Sequence, residues 1–207
     1  SDLIPTEPEE GDDYEHAEMT ESLESAIDDF IISGAARSQR GDGEKPCTMM
    51  VNVSHRWAVH FDVMKCIRDH LISLSSMYET GMNSSHLARL EARWETSFAP
   101  LINAFNGIGD DGPEDLVLSG GGKSTEDQSK TLANSHGSNG ARPERTTSFD
   151  DISPFIASFI HEIAKPQNNR VLNRYSNDVV DFDREPSLKA IIHGGYNLGR
   201  GLTFKGM

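Results

Sequence analysis

The stretch that decides the fold is Ala190-Ile191-Ile192-His193-Gly194-Gly195-Tyr196-Asn197-Leu198-Gly199-Arg200-Gly201-Leu202-Thr203. Residues 189–193 form an apolar run of strand length, and Gly194-Gly195 breaks it. The loop that follows holds four glycines, one arginine and a threonine. In open α/β sheets, ligands bind outside the carboxyl ends of the strands. Glycines let backbone N–H groups approach phosphate oxygens closely, and Arg200 offers a forked, permanent positive charge. The plainer reading is a glycine-rich turn whose arginine is solvated.

Working outward, residues 48–53 are a second strand, and Ser54 follows as a helix N-cap. Trp57, Phe61, Met64, Ile67, Leu71 and Leu74 then recur at steps of three and four, which predicts a helix of about six turns. An earlier helix is expected over 22–38, with Leu23, Ile27, Phe30 and Ile31 on one face and Gly41 ending the pattern. A helix from Ser84 or Ser85 places Leu87, Leu90, Trp94, Phe98 and Leu101 together, and Pro100 should kink or end it. Ser153-Pro154 reads as an N-cap and first turn for a helix bearing Phe155, Ile156, Phe159, Ile160 and Ile163. Residues 170–174 form a short third strand. Strands alternating with helices predict an α/β fold with a mainly parallel sheet.

The 207 residues suit one domain. The formal charge is −14, but twelve Asp/Glu and no Lys/Arg lie within residues 1–29. The remainder carries 21 acidic and 19 basic side chains, so the body is near neutral and offers no strong footprint for nucleic acid by itself. Residues 1–16 read as an acidic tail or linker, and 17–207 as one lobe. Within that lobe, 107–148 is poor in large apolar residues and is expected to be a flexible insertion. No run is long and apolar enough to span a membrane, no secretory signal is visible, and two cysteines fit a reducing, cytoplasmic setting. Both chain ends read as cut from a longer protein.

The glycine loop resembles the Gly-Gly-Asn-x-Leu-Ser-Arg-Gly-Leu-Thr-x-x-Gly loop of the Z-one domain family. Its members carry an endonuclease label, resemble superfamily-two helicases and occur in restriction-modification and phage-defence proteins. Ser22-Leu23, Ala26-Ile27, Phe30 and residues 35–41 resemble the family's leading helix. Residues 49–54 (Met-Met-Val-Asn-Val-Ser) resemble its first strand, and Val171-Leu172-Asn173 with Asp181-Phe182 resemble the segment ahead of the loop. Tyr196 stands where the family has Asn and Gly199 where it has Ser, which removes two side-chain hydrogen-bonding groups.

The resemblance implies a three-layer, RecA-like (P-loop NTPase-like) lobe, the second of a helicase-type motor. It implies ATP and Mg²⁺ in the full-length protein, none bound tightly by this stretch alone, and DNA and the missing N-terminal ATPase lobe as partners. Gly194, Gly195, Asn197, Arg200, Gly201 and Thr203 would face nucleotide phosphate or the nucleic-acid backbone. Ser54, His55 and Arg56, at a helix start, are candidates for a phosphate as well.

Two further segments suggest other chemistries. Residues 120–125 contain Gly-Lys-Ser, but the first glycine of a P-loop would fall at Val117, and no apolar-faced helix follows. Asp178, Asp181, Asp183 and Glu185 cluster near Lys189, and strand alternation puts Asp181, Asp183 and Glu185 on one side. That is the raw material of a Mg²⁺-dependent endonuclease, although no Asp/Glu-x-Lys triplet completes it. His55, His60 and Asp62 scatter around a helix rather than converge on a metal. A non-catalytic interaction lobe is the remaining alternative.

Overall fold

The computed structural model describes residues 18–52, 57–102, 148–172 and 180–194. The expected acidic tail and residues 107–147 of the expected insertion, with its Gly-Lys-Ser, lie outside the described residues, while Ser148, its expected last residue, caps a helix.

Helix α1 (Glu21–Arg37) is capped by Thr20, whose Oγ1 accepts a hydrogen bond from the Leu23 N–H at 3.2 Å. Glu21 and Glu24 sit in its first turn and Arg37 in its last, the arrangement the helix dipole favours. A wide π-helical turn, Ser38–Asp42, follows. It closes through Gly41 at φ 83°, a left-handed conformation that glycine adopts without steric cost. Strand β1 (Cys47–Val51) begins one residue before the expected span, and Val53 lies outside the described residues.

Helix α2 (Trp57–Glu79) has the expected length. Its buried stripe is Val63, Ile67, Leu71 and Leu74, while Phe61 and Met64 are only half-buried. Helix α3 (Ser84–Arg93) starts at the first of the two expected serines. It then widens into a π-helical turn, Trp94–Phe98, where the Ala99 N–H reaches back five residues to the Trp94 carbonyl. This turn lies directly ahead of Pro100, which has no N–H to give its own helix. The extra residue shifts the helical phase. Leu101, expected on the buried face, is therefore 61% exposed, and Ile102 packs against the core instead.

Helix α4 (Phe149–Ile163) starts earlier than Ser153-Pro154 suggests. Its N-cap is Ser148, in a capping box. The Ser148 Oγ accepts from the Asp151 N–H, and the Asp151 carboxylate accepts from the Ser148 N–H. Pro154 thus lies inside the helix. The Asp150 carbonyl it cannot serve accepts from the Ser153 hydroxyl at 3.3 Å. The apolar face itself is as expected, with Ile156, Phe159, Ile160 and Ile163 buried. A short 3₁₀ turn, Pro166–Asn168, leads into β2 (Asn169–Leu172), and β3 (Lys189–Gly194) closes the described chain.

The three strands form one parallel sheet in the order β1-β3-β2. Cys47 stands opposite Lys189 and Val51 opposite His193, while Asn169 pairs with Ile191 and Leu172 with Gly194. The fold is mixed α/β with a small parallel sheet, as the strand–helix alternation predicts. All six residues of β3 are buried, which its central place requires. Ile191 joins the main core with α1, α2, α3 and α4. Leu188, Ala190 and Ile192 form a second cluster, packed by Met50, Leu172, Val180 and Phe182. Among the described residues that second face is covered by chain leading into β3, and no helix lies on it.

Candidate functional site

Because the strands are parallel and in register, their carboxyl ends share one edge of the sheet. Val51 ends β1 opposite His193, and Gly194 ends β3 opposite Leu172. The chain therefore leaves β1 towards residues 54–56, and leaves β3 towards 195–203, from hydrogen-bonded neighbours. Adjacent strands lie about 4.8 Å apart, so the carboxyl ends of β1 and β3 are neighbours. Of the expected phosphate-facing residues, only Gly194 is described. Gly195, Asn197, Arg200, Gly201, Thr203, Ser54, His55 and Arg56 lie outside the described residues.

His193, which the sequence reading passed over, is the last side chain before the glycines. It is 1% exposed, and both ring nitrogens are shielded from solvent. The available signal was a histidine ending an otherwise apolar central strand.

The acidic segment ahead of β3 is laid out differently from a metal site. The Asp181 carboxylate accepts from the backbone N–H groups of Asp183 (3.1 Å) and Arg184 (3.3 Å), and pairs with the Arg184 guanidinium at 3.2 Å. Glu185 takes both forks of the Arg170 guanidinium. That hydrogen bonding holds its carboxyl below the ordinary carboxylate range. Asp183 is exposed, and Asp178 lies outside the described residues.

Lys189 is 7% exposed, and its Nζ donates to the carbonyls of Lys45 and Ser187, each at 2.8 Å. Burial pushes its pKa down. It stands at the amino end of β3, the edge opposite the glycine loop. Among the described residues, no three His, Cys, Asp or Glu side chains gather where they could hold a metal ion. Asp62 belongs to no such group, and the side chains of His55 and His60 lie outside the description.

Cys47 and Cys66 are free thiols, and burial raises the pKa of both. Among the described residues, no helix is long and apolar enough to cross a membrane.

A small parallel sheet of three strands, with a fully buried central strand that ends at Gly194 and helices packed on it, defines an α/β protein. The model of the Z1 domain, the Z-one family resembled above, matches residues 22–207, and the chain belongs to that family. No curated protein and no solved structure matches it.

Proposed function

We propose that the chain acts as the second RecA-like lobe of a helicase-like, ATP-dependent DNA-processing protein of the restriction and phage-defence kind. In this reading the loop 194–203 faces phosphate, either of the nucleotide or of the DNA backbone. Membership of the Z1 family supports it. The observation that carries it is the position of β3. A strand buried along its whole length ends at Gly194, beside the exit of β1. Such a strand is a rigid base, and a rigid base lets loop amides and a guanidinium be placed with little loss of freedom. The free thiols are compatible with a reducing cytoplasm.

The described residues do not fit a Mg²⁺ ion, since no three ligands converge. The metal and the phosphate-cradling lysine of an ATPase then belong to the other lobe. This chain contributes Arg200 and backbone N–H groups, which stabilise charge that develops on phosphate.

The test is Arg200→Ala in the full-length protein. DNA-stimulated ATP hydrolysis should fall by one to two orders of magnitude, equivalent to losing ~1.4–2.7 kcal/mol of transition-state stabilisation. The 207-residue chain alone should neither hydrolyse ATP nor cut DNA. Robust Mg²⁺-dependent cleavage by that chain, abolished by Asp181→Ala or Asp183→Ala and indifferent to Arg200→Ala, would make it a nuclease instead.

A further inference from the structure

A cleft of about 540 Å³ opens at the amino edge of the sheet, between the π-helical turn after α1, the outer face of α4 and the starts of β1 and β3. Lys189 lines it, and Gly194 ends the same strand five residues, or about 16 Å, away, so the cleft is separate from the proposed phosphate site. Its volume lies in the range of small-molecule sites.

A lysine ordinarily keeps its ammonium in water, yet Lys189 is 7% exposed on the central strand. Its Nζ donates to the carbonyls of Lys45 and Ser187, each at 2.8 Å. With Cε, those two bonds occupy three of the four tetrahedral positions on the nitrogen. The fourth carries either the third proton of the ammonium or the lone pair of the free amine, and it is the position left for a molecule in the cleft. The neutral amine keeps both anchoring bonds, so losing a proton does not release the side chain.

The groups around the nitrogen decide which form is favoured. Burial disfavours the ammonium and is the largest influence, and Arg37, at the end of α1, acts in the same direction. Glu44 ahead of β1, Cys47 on β1 and Glu162 on α4 act against it. The outcome is a pKa below the ordinary lysine value, so more of the amine is present at a given pH than on an exposed lysine.

A desolvated amine attacks carbon electrophiles, and the charge on the cleft walls selects among them. Glu44 and Glu162 both line the cleft, the latter shared with Lys165. Acyl transfer passes through an oxyanion, which two carboxylates oppose. Condensation with an aldehyde ends in a protonated imine, a cation that they favour. The lone pair of the amine adds to the carbonyl carbon, and the C–O π pair moves onto oxygen. One proton then passes from nitrogen to that oxygen, carried by a cleft carboxylate. A second proton, taken from solvent, lets the hydroxyl leave as water and remains as the charge of the imine. Amine, aldehyde and proton thus give a protonated imine and one water, with no oxidation or reduction.

We propose that Lys189 is a nucleophilic amine that forms an imine with aldehyde-bearing small molecules in this cleft. Lys65 and Lys45 are exposed and serve as internal references. The test treats the 207-residue chain with propanal and cyanoborohydride, which reduces any imine to a stable amine, and follows each lysine by peptide mass spectrometry. Near neutral pH, Lys189 should be alkylated about ten-fold faster than either reference, the effect of a pKa about one unit lower. Its rate should also level off at lower pH than theirs. Denaturing guanidinium chloride should erase the advantage. Ser158→Trp, on an exposed helix face that lines the cleft, should slow Lys189 and leave Lys65 unchanged, with an unaltered circular dichroism spectrum. Lys189 reacting no faster than Lys65 and Lys45, an advantage that survives unfolding, or a folded Ser158→Trp variant that reacts at the full rate would overturn the proposal.

Discussion

At Gly34 there is no room for a methyl group. A Cβ there would lie 2.1 Å from the Phe159 ring, which is itself buried and packed edge-on against Phe30 at 5.3 Å. Gly34→Ala should gain up to about 1 kcal/mol of helix propensity and lose about 1–3 kcal/mol to overpacking. The net effect expected in urea unfolding is destabilisation, with Phe159→Leu relieving part of it in the double variant. Within two turns on the same helix, Asp28 is 1% exposed, accepts from His86 Nε2 at 3.1 Å and from Arg89 Nη2 at 3.2 Å, and pairs with Arg89 Nε at 2.9 Å. The Tyr78 hydroxyl bonds the other ring nitrogen of His86 at 2.9 Å, and burial raises the pKa of that phenol. His70 sits against this group, facing Glu24 and Asp28 from α1 and Arg89 and His86 from α3, with its Nε2 buried and unpaired among the described residues. Burial lowers its pKa below the ordinary 6.5. The unfolded chain then takes up the proton first as pH falls, so His70 contributes stability that is complete above pH 6.5 and lost towards its lower folded pKa. In pH-dependent unfolding, His70→Gln should flatten the loss of stability below about pH 6.5, and an unchanged slope would contradict this. None of this was visible in the sequence, because Asp28 closes an acidic stretch that reads as solvated and its partners lie 58 to 61 residues away.

Elements were easier to read than their ends. Period-three-and-four spacing located α1, α2, α3 and α4, and short apolar runs located β1 and β3, because periodicity reports directly on burial; β2 starts one residue before the expected 170–174, whose residues 173 and 174 lie outside the described residues. Boundaries depend on which polar group satisfies the free backbone donors, and several serines compete for that role. At α4 the competition went to Ser148, which gains a reciprocal partner in Asp151 that Ser153 lacks. Ser148→Ala should therefore cost about 0.5–2 kcal/mol in thermal or urea unfolding, while Ser153→Ala should cost less, since its hydroxyl only covers the Asp150 carbonyl. The phase error at Leu101 has a different origin. A π-helical turn leaves no periodic trace, and Pro100 announced a disturbance without saying whether the helix would kink, stop or widen.

For the whole molecule, charge is the main constraint on partners. With a formal charge of −14, and with Arg89, Arg93 and Arg170 already engaged by carboxylates, the chain as a whole repels a DNA polyanion more than it attracts one. Fluorescence anisotropy on the 207-residue chain should show weak duplex binding that disappears by about 0.2 M salt, with a log–log salt slope no steeper than about −3. A steeper slope would point to a basic surface that the charge balance does not provide. Of the proposed site, the strand that leads into it was legible, since an apolar run ending at glycines marks where β3 stops; residues 195–203 lie outside the described residues. The strand order has a consequence for synthesis. β1 and β2 never touch each other, and each is joined to the sheet only through β3. Cys47 must wait for Lys189, 142 positions later, which at ~5–20 residues per second is roughly 7–28 s on the ribosome. Throughout that interval β1 is out without its neighbour, and β2 (Asn169–Leu172) joins it only near the end, so the nascent chain depends on its helices, or on a chaperone, to stay soluble until its last described strand emerges.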